Sequence, residues 1–439
     1  MALSKEELKK LACEAIDKNR DKIVALGQSI FAEPELGYKE YKTAEKIKKV
    51  FDELGFSYDE KVALTGVVAP LKGKSSNIKL SIMGELDAVV APEHPFADPV
   101  TGAAHSCGHN CMIAALAGVA YAIKDADLMK ELDGDIVLMA VPAEEYVEIE
   151  FRHNLIQEGK VTFAGGKQEF IKLGVMDDID MMIMQHTGAR GADGIEAKAS
   201  GGGNGFVGKL VRYIGKEAHA GGAPHLGINA LNAASLGLQA VAMQRETFQD
   251  KDSIRVHPII TKGGDLVNVV PADVRIETYI RGKTVDAIVD ANKKVTRAFQ
   301  AGGDAIGAET IITDIPGYMP PFICEELSDL AYENLKLLYD EDKILNIAPA
   351  GTGSTDQGDI SVIMPSIQMG FNGVTGIFHS KDFVITHEEV AYIDPAKALV
   401  MTAIDLLYDG AKKGVEVKNN FKAPMTKAEY LKVWGNIEE

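Results

Sequence analysis

The sequence predicts an α/β fold in which a main domain, with a mixed, mostly parallel sheet covered by helices, is interrupted by a smaller α+β domain. The strand patterns GDIVLMAVPAEE and DIDMMIMQHTG show almost no polar alternation, as is typical of strands buried on both faces. The glycine-rich stretch ASGGGNG ends this pattern, and αβ alternation resumes through SVIMPSIQMGF and PAKALVMTAIDLLY. We therefore assign residues 1–200 and 317–439 to the main domain and residues 201–316 to the inserted domain.

The N-terminal part of the chain predicts helices followed by strands. Ser4 is placed as a helix N-cap, with Glu7 as its capping-box partner. A helix is expected over residues 41–54, ended by Gly55, and short strands over residues 62–90. The alanine-rich run NCMIAALAGVAYAI predicts a buried helix that starts just after Cys107.

The inserted region predicts the order strand, helix, strand, strand, helix, strand, a ferredoxin-like α+β unit. FVGKLVRYIG and VNVVPADVRIETYIRG alternate as strands do, and a helix is expected over residues 285–299. The segment GNGFVG, residues 203–208, matches a dinucleotide-binding fingerprint, but no buried strand precedes it and a strand pattern follows it. We interpret it as a hinge between domains.

Composition and charge exclude several classes of protein. The 439 residues are 46% hydrophobic and 25% charged, which excludes wholesale disorder. The net charge of −18 disfavours nucleic-acid binding and docking on anionic lipid. No stretch approaches the length of a membrane span, no signal peptide is recognised, and the four cysteines are too few for a disulfide scaffold. We expect a cytoplasmic protein without a membrane or nucleic-acid partner.

Residues with metal-binding or acid–base chemistry follow the predicted strands where each apolar run ends. Side chains at the carboxyl ends of parallel strands meet in one crevice, so we expect these residues to lie together. Such a set holds one or two divalent ions and leaves a carboxylate as general base. Each of these residues, considered alone, also fits a purely structural interpretation, as a buried thiol, a structural histidine or part of a solvated loop. The residues are Asp87, Cys107, His109, Glu144, Glu145, His186 and His379.

The order of motifs resembles the metal-dependent amidohydrolase and aminoacylase branch of the M20 peptidase family, which includes aminobenzoyl-glutamate hydrolase. The motifs run from FAEPELGYKEYKTAEKI to HSKDFVITHEEVAYIDPAKAL and cover nearly the whole chain. Between them stand GELDAVV, HSCGHN, VPAEE, GKEAHAGGAPHLGINAL, NVVPADVRIETYIRG and GSTDQGDIS. The resemblance implies that the main domain is catalytic and that the inserted domain is a lid that also forms a dimer contact.

The resemblance also implies a role for each residue at the strand ends. It makes Glu144 the general base and places Asp87 where a carboxylate orients a metal-bound histidine. The ions implied are two divalent metals, zinc or else manganese, cobalt or nickel. Their ligands would be Cys107, as a bridging or shared ligand, with His109, Glu145, His186 and His379.

Three residues of the inserted domain acquire roles in the same way. His219 matches a histidine that reaches the active site of a partner subunit and stabilises the oxyanion. Asn268 and Arg281 match positions that hold the carboxylate of the substrate, for which the planar fork of arginine is well suited. The partners implied are a small substrate with a free carboxylate and a second copy of the chain, bound through the lid.

The chain departs from the branch in three places. Glu85 stands where the branch often has aspartate, and Asn110 stands where it often has aspartate after CGH. The sequence CGHN, which contains Asn110, and the STDQGD sequence bring the chain nearer to aminobenzoyl-glutamate hydrolases and to dipeptidases acting on β-alanyl or basic dipeptides. Residues 146–163 contain an extra segment, which we interpret as an external loop or hairpin, with a pocket-lining role for Glu148, Glu150 and His153 as the alternative.

The function predicted is metal-dependent hydrolysis of an amide bond in a small N-acyl amino acid, such as an aminobenzoyl-glutamate-like compound, with water activated by Glu144. A dipeptidase is the nearer alternative. A metal- or ligand-binding protein without catalysis is the more distant one, and it is disfavoured because Glu144 and the complete ligand set are present.

Overall fold

The computed structural model describes residues 3–191 and 193–434. The α-helices are α1 (Lys5–Lys18), α2 (Arg20–Phe31), α3 (Tyr41–Leu54), α4 (His109–Asp125), α5 (Ile149–Gln157), α6 (Gly166–Leu173), α7 (Ala230–Met243), α8 (Val285–Ile306), α9 (Glu325–Leu335), α10 (Gln357–Ser361), α11 (Asp394–Leu407), α12 (Lys412–Asn420) and α13 (Lys427–Trp434). The strands are β1 (Asp59–Val62), β2 (Gly66–Leu71), β3 (Lys79–Glu85), β4 (Val89–Val90), β5 (Ala103–Ala104), β6 (Asp135–Val141), β7 (Met181–Ala189), β8 (Ala197–Gly201), β9 (Gly205–Ile214), β10 (Arg255–Val256), β11 (Ile259–Lys262), β12 (Asp273–Gly282), β13 (Glu309–Ile315), β14 (Ile344–Ala348), β15 (Ser366–Thr375) and β16 (Val384–Ile385).

The larger sheet has the strand order β1-β2-β6-β3-β7-β15-β8-β14, with β16 paired to β15. Its centre, β6-β3-β7-β15, is parallel throughout, whereas β2 and β8 join this centre in antiparallel fashion. The prediction of a mixed α/β fold with a mostly parallel central sheet is confirmed.

Both faces of the central strands are buried, which explains why their sequences lack polar alternation. In β6, Leu138 belongs to the core beneath α1, α4 and α11, and its neighbour Met139 belongs to a separate core beneath α6 and α13 on the opposite face. All seven residues of β6 are buried. Helix α4 is likewise buried almost all round, as its alanine-rich sequence predicts.

The predicted helix starts agree closely with the structure. Ser4 caps α1, and Glu7 completes the capping box. Helix α3 spans the predicted residues and ends at Gly55, whose φ of 72° lies in the left-handed region that glycine adopts without strain. Helix α8 runs seven residues beyond the predicted end, to Ile306.

The inserted region forms a separate antiparallel sheet in the order β10-β12-β9-β13, with β11 paired to β12. Helices α7 and α8 pack on this sheet around their own core, which includes Tyr213 and Phe299. The strand β9 begins at Gly205, inside the segment that mimics a dinucleotide fingerprint, so a strand follows the glycines as expected. No helix in the described part of the chain is long and apolar enough to cross a membrane.

Replacing Asp394 by asparagine is expected to change the pH dependence of stability. Asp394 begins α11 and accepts a hydrogen bond of 2.6 Å from the Tyr339 hydroxyl. Burial raises the pKa of Asp394 to about 6, against about 3.9 for an unfolded chain. Between these values the folded state binds the extra proton, so the contribution of Asp394 to stability is lost as the pH rises through this window.

From pH 4.5 to pH 7, the unfolding free energy of Asp394→Asn should gain about 2 kcal/mol relative to the parent protein. Urea unfolding at the two pH values measures this difference. The surface variant Asp342→Asn is the control and should follow the parent protein. Parallel pH profiles for the parent and Asp394→Asn would contradict the prediction.

Candidate metal centre and active site

A cavity of about 540 Å³ opens between the carboxyl ends of the central strands and the sheet of the inserted region. The main sheet contributes Glu144, Glu145 and His186 to its wall, and the inserted region contributes Tyr279 and Arg281. Polar and charged groups thus converge on one concave space at the edge of the sheet where ligands bind in α/β folds.

The twin glutamates are held in the cavity by a sharp turn after β6. Ala143, immediately before them, has a φ of 58°, a conformation that costs energy in a residue other than glycine. The Glu40 carboxylate accepts a hydrogen bond of 2.8 Å from the Ala143 N–H and holds this turn. The main chain at Glu144 and Glu145 is therefore fixed before any ligand binds.

Five predicted metal ligands form two groups that share one sulfur atom. Cys107, His109 and His186 form the first group, and Cys107, Glu145 and His379 form the second; within each group the ligand atoms lie within 4.8 Å of one another. Cys107 Sγ is 3.5 Å from His186 Nε2, and His379 Nε2 is 3.3 Å from Glu145 Oε1. These two groups would hold divalent ions, with the Cys107 sulfur common to both groups.

Asp87 orients the other members of the site. Its carboxylate accepts hydrogen bonds from the N–H groups of Glu144, at 3.1 Å, and Glu145, at 2.8 Å. The same carboxylate lies 3.3 Å from His109 Nδ1, and the Asp87 carbonyl oxygen lies 2.9 Å from that nitrogen. A hydrogen bond at Nδ1 leaves Nε2 of His109 free to act as a ligand. The role of Asp87 in orienting a metal-bound histidine stays a prediction, and these contacts are compatible with it.

Their surroundings shift the pKa values of the two glutamates in opposite directions. Burial, together with Glu85 and Glu145, raises the pKa of Glu144 well above its ordinary value. Burial acts in the same direction on Glu145, but His379 and His109 outweigh it and lower the pKa of Glu145. A carboxyl that exchanges protons readily beside one that stays ionised is the pairing that a general base and a metal ligand require.

The chemistry of the donor atoms tests whether these residues fit a divalent ion. His109 Nε2 and Glu145 Oε1 are buried and make no well-aligned hydrogen bond among the described residues, although Glu85 Oε2 lies 3.0 Å from the first and His379 Nε2 lies 3.3 Å from the second. Burial raises the pKa of the Cys107 thiol, so a positive charge nearby is needed to hold it as a thiolate. A buried polar atom without a partner is costly, and an ion between the two ligand groups removes that cost. The donor set therefore fits divalent metal.

A buried lysine that the sequence did not predict holds two carboxylates beside the site. Lys167 Nζ, on α6, donates hydrogen bonds to the carboxylates of Glu85 and Asp356, and all three side chains are fully buried. Glu85 Oε2 in turn lies 3.0 Å from His109 Nε2. Asp356 lies in the GSTDQGDIS motif, so that motif provides the only sequence signal of this network.

Replacing Lys167 by methionine is expected to destabilise the fold by about 3–5 kcal/mol, because Glu85 and Asp356 would remain as buried carboxylates without a cation. Denaturant unfolding measures the loss. Lys427→Met removes an exposed pair with Asp177 and should cost less than about 1 kcal/mol. Equal losses in the two variants would show that the buried network contributes no special stability.

Arg281 reaches the cavity from β12. Its guanidinium donates a hydrogen bond of 2.9 Å to Ser354 Oγ and lies over the rings of Phe206 and Tyr279, at 5.4 and 5.2 Å from their centroids. The aromatic rings fix the plane of the guanidinium and leave donors facing the cavity. This position suits recognition of a carboxylate.

The structure does not bring His219 and Asn268 to this cavity within one chain. Both are exposed, and they lie beside each other, since the Ala220 N–H donates a hydrogen bond of 3.0 Å to the Asn268 carbonyl. Asn268 and Arg281, predicted to act together on one carboxylate, are therefore separated in the single chain. Their shared role, like that of His219, stays a prediction.

Residues 146–163 do not form the external loop or hairpin that we favoured from the sequence. They contain α5, and the fully buried Arg152 in this helix donates hydrogen bonds to the carbonyl oxygens of Ala143 and Glu145. The helix thereby packs beneath the twin glutamates. A buried arginine with several carbonyl partners requires a packed helix and excludes a solvated loop.

None of the three polar residues for which a pocket-lining role was the alternative lines the active-site cavity. Glu148 pairs with Lys39 at 2.8 Å, and Glu150 pairs with Arg275 of the inserted sheet at 2.5 Å. His153 lines a smaller cavity of about 230 Å³ between α5 and that sheet. The segment is therefore a contact between the two sheets.

Comparison with known proteins identifies the family of the chain. The model of peptidase family M20/M25/M40 matches residues 81–403. The mouse Xaa-Arg dipeptidase is 27% identical over 97% of this chain and 95% of its own length. The N-acyl-L-amino acid amidohydrolase of Geobacillus stearothermophilus is 28% identical over 64% of this chain and 70% of its own length.

A solved structure has the same fold. The Bacillus subtilis YXEP protein, a dinuclear metal binding peptidase, superposes with a TM-score of 0.61 and 19% identity over 89% of this chain and 99% of its own. The family match spans the strands and loops that carry the five ligands, the twin glutamates and Asp87. The chain therefore belongs to peptidase family M20/M25/M40 and is a hydrolase that acts on amide bonds.

Proposed function

We propose that the protein hydrolyses the amide bond of a small N-acyl amino acid, of the aminobenzoyl-glutamate type or related to it, with Glu144 as the general base. The observation that carries this proposal is the position of Glu144 in the cavity wall beside two ligand groups that share Cys107. We also propose a cytoplasmic location, where free thiols such as Cys107 stay reduced.

Two divalent ions, when bound, supply Lewis-acid polarisation of the carbonyl and lower the pKa of water. Cys107, His109, Glu145, His186 and His379 would hold them. The choice among zinc, manganese, cobalt and nickel is open, because a thiolate favours zinc whereas imidazole and carboxylate suit all four.

Glu144 takes a proton from the attacking water and returns it to the leaving amine. The carboxyl that has taken the proton from water can then act as the general acid for the leaving amine. Asp87 keeps His109 and the main chain of both glutamates in position throughout. Arg281 binds the carboxylate of the substrate and thereby positions the scissile bond relative to Glu144.

A dipeptidase is the second candidate, and the nearly full-length similarity to Xaa-Arg dipeptidases favours it. The test is release of free amino groups from matched N-acyl amino acids and dipeptides, by chelated protein reloaded with each metal. Hydrolysis by the parent protein, but not by Glu144→Gln, supports the proposed reaction class, and the preferred half of the panel separates the two candidates. Stoichiometric metal binding without any turnover would contradict catalysis and favour a binding role.

We further propose a homodimer in which His219 of each subunit completes the site of the other and stabilises the oxyanion. The exposed position of His219, outside the cavity of its own chain, supports this arrangement. A hydrogen-bond donor of this kind typically contributes about 3–4 kcal/mol to the barrier.

Subunit mixing tests the dimer. Glu144→Gln and His219→Asn should each lack most activity alone. Co-refolded in equal amounts, they should regain a substantial fraction of it, because each mixed dimer contains one intact Glu144 facing one intact His219. His225→Asn, at a neighbouring exposed histidine, is the control and should keep its activity. A monomer by light scattering, or no recovery on mixing, would exclude action across subunits.

A further inference from the structure

Lys198 is a cationic residue in the wall of the active-site cavity to which the proposed mechanism gives no role. It lies on β8, and the cavity is lined by Lys198 together with Gly201, Gly202 and Gly370. Glycines on this wall leave space beside the lysine, since they carry no side chains. The ammonium group therefore has access to a bound molecule.

Strand register directs the lysine side chain along the cavity. Gly370 of β15 pairs with His186 of β7 on one side and with Lys198 of β8 on the other, so these three residues form one row across the sheet. A Cβ atom added to Gly370 would lie 2.5 Å from Lys198 Cε and 2.9 Å from its Cγ. The side chain of Lys198 thus lies across the surface of Gly370, which only glycine permits.

Among the described residues, no carboxylate pairs with the ammonium group of Lys198. Burial is the single influence on the pKa of Lys198, which it lowers, since no acidic group within residues 3–191 and 193–434 acts on it. By contrast, the buried Lys167 is neutralised by Glu85 and Asp356. A largely buried cation without a partner costs stability, and such a cost is typical of positions that are completed by a ligand.

We propose that Lys198 binds a second carboxylate of the substrate, in addition to the one held by Arg281, and that the enzyme therefore selects dianionic amides. This inference rests on the proposed function and narrows its substrate class. The second carboxylate can belong to the side chain of the released amino acid, as in an acyl-glutamate, or to the acyl group, as in a succinyl amino acid. Both sources present the same group to the ammonium.

The proposed charge preference differs from the one that the name of the Xaa-Arg dipeptidases implies. An arginine side chain placed near Lys198 would be repelled, because two cations in a partly buried space lose solvation and gain no attraction. We therefore expect the protein to disfavour substrates that release arginine, although it resembles Xaa-Arg dipeptidases along almost its whole length.

The experiment compares pairs of equal size that differ in one charge. Benzoyl-glutamate against benzoyl-glutamine tests the amino acid side. Succinyl-alanine against succinamoyl-alanine, in which the succinyl carboxylate is replaced by an amide and the alanine carboxylate is kept, tests the acyl side. Benzoyl-arginine is included as the cationic comparison. Values of kcat/KM are measured for the metal-loaded parent protein, for Lys198→Met and for Lys72→Met, an exposed lysine just after β2. Calorimetric binding of the same compounds to Glu144→Gln, with and without Lys198→Met, gives a readout without turnover.

We expect the parent protein to prefer the charged member of one pair by about 10- to 100-fold, as for a hydrogen bond to a charged group. Lys198→Met should reduce that preference to near unity, whereas Lys72→Met should retain it. The pair that shows the effect identifies the source of the carboxylate. Lys198→Gln replaces Lys198→Met if the latter melts below the assay temperature.

Two results would overturn the proposal while leaving the proposed function intact. One is hydrolysis of both pairs without charge preference, or with a preference that Lys198→Met retains. The other is faster hydrolysis of benzoyl-arginine than of benzoyl-glutamate by the parent protein. Absence of both turnover and binding for every compound would instead contradict the proposed function, and the inference about Lys198 would fall with it.

Discussion

Replacement of Glu144 by glutamine is expected to lower kcat by about 10²- to 10⁴-fold, the usual contribution of a general acid–base group. Glutamine has nearly the same shape, so Asp87 can still accept the hydrogen bond from the residue 144 N–H. What is lost is the carboxylate that accepts and returns the proton. Steady-state kinetics on the best substrate, with ion content measured on the same samples, provides the test.

The comparison variants separate proton transfer from ion binding. Glu145→Gln should lose ions as well as activity, because Glu145 belongs to the second ligand group. Glu158→Gln, an exposed glutamate after α5, should behave as the parent protein. If Glu144→Gln kept its ions and retained more than about a tenth of the parent kcat, Glu144 would not be the general base.

Replacement of Cys107 by alanine is expected to remove both ions, since this sulfur is common to the two ligand groups. Loss of a partner outside the ligand set alone weakens metal affinity by about 10- to 100-fold, so loss of a shared ligand should exceed that range. The measurement is metal per chain after dialysis, by mass spectrometry, with activity alongside. Activity should fall in parallel with metal content.

Cys111 provides the matched control. It is also buried and lies four residues further along the chain, in the first turn of α4, but it belongs to neither ligand group. Cys111→Ala should keep the parent metal content even where its packing loss lowers the melting temperature. A Cys107→Ala protein that still binds two ions after dialysis would show that the sulfur does not bridge them.

Much of the main domain could be predicted because both of its signals are local. Apolar runs without alternation identified the buried strands, and polar residues at the ends of those runs identified the cavity wall. Glu145 and His186 come together because the parallel strands β6 and β7 deliver their carboxyl ends to one edge, whereas Cys107 reaches the same cavity from the turn before α4. The turn at Ala143 and the pairing of Asp87 with two N–H groups then fix the details.

The residues that were missed depend on contacts between distant parts of the chain. Lys167 and Asp356 are 189 positions apart, and no periodicity of either segment reports their ion pair. Lys198 is informative only once Gly370 is known to lie beside it, which requires the register of β8 on β15. The segment around α5 was misread because its helix is short and its one decisive feature, the buried Arg152, resembles a surface residue in sequence.

Arg152 couples the folding of α5 to that of the turn at residues 143–145. Its guanidinium donates hydrogen bonds to the carbonyl oxygens of Ala143 and Glu145, on both sides of Glu144. These two oxygens would lose their hydrogen-bond donor if α5 unwound. The turn that presents the twin glutamates and the helix beneath it therefore form one cooperative unit. In hydrogen exchange, the amides of α5 should open together with those of residues 143–145. Deletion of residues 146–163 would therefore also destabilise the turn that carries the twin glutamates.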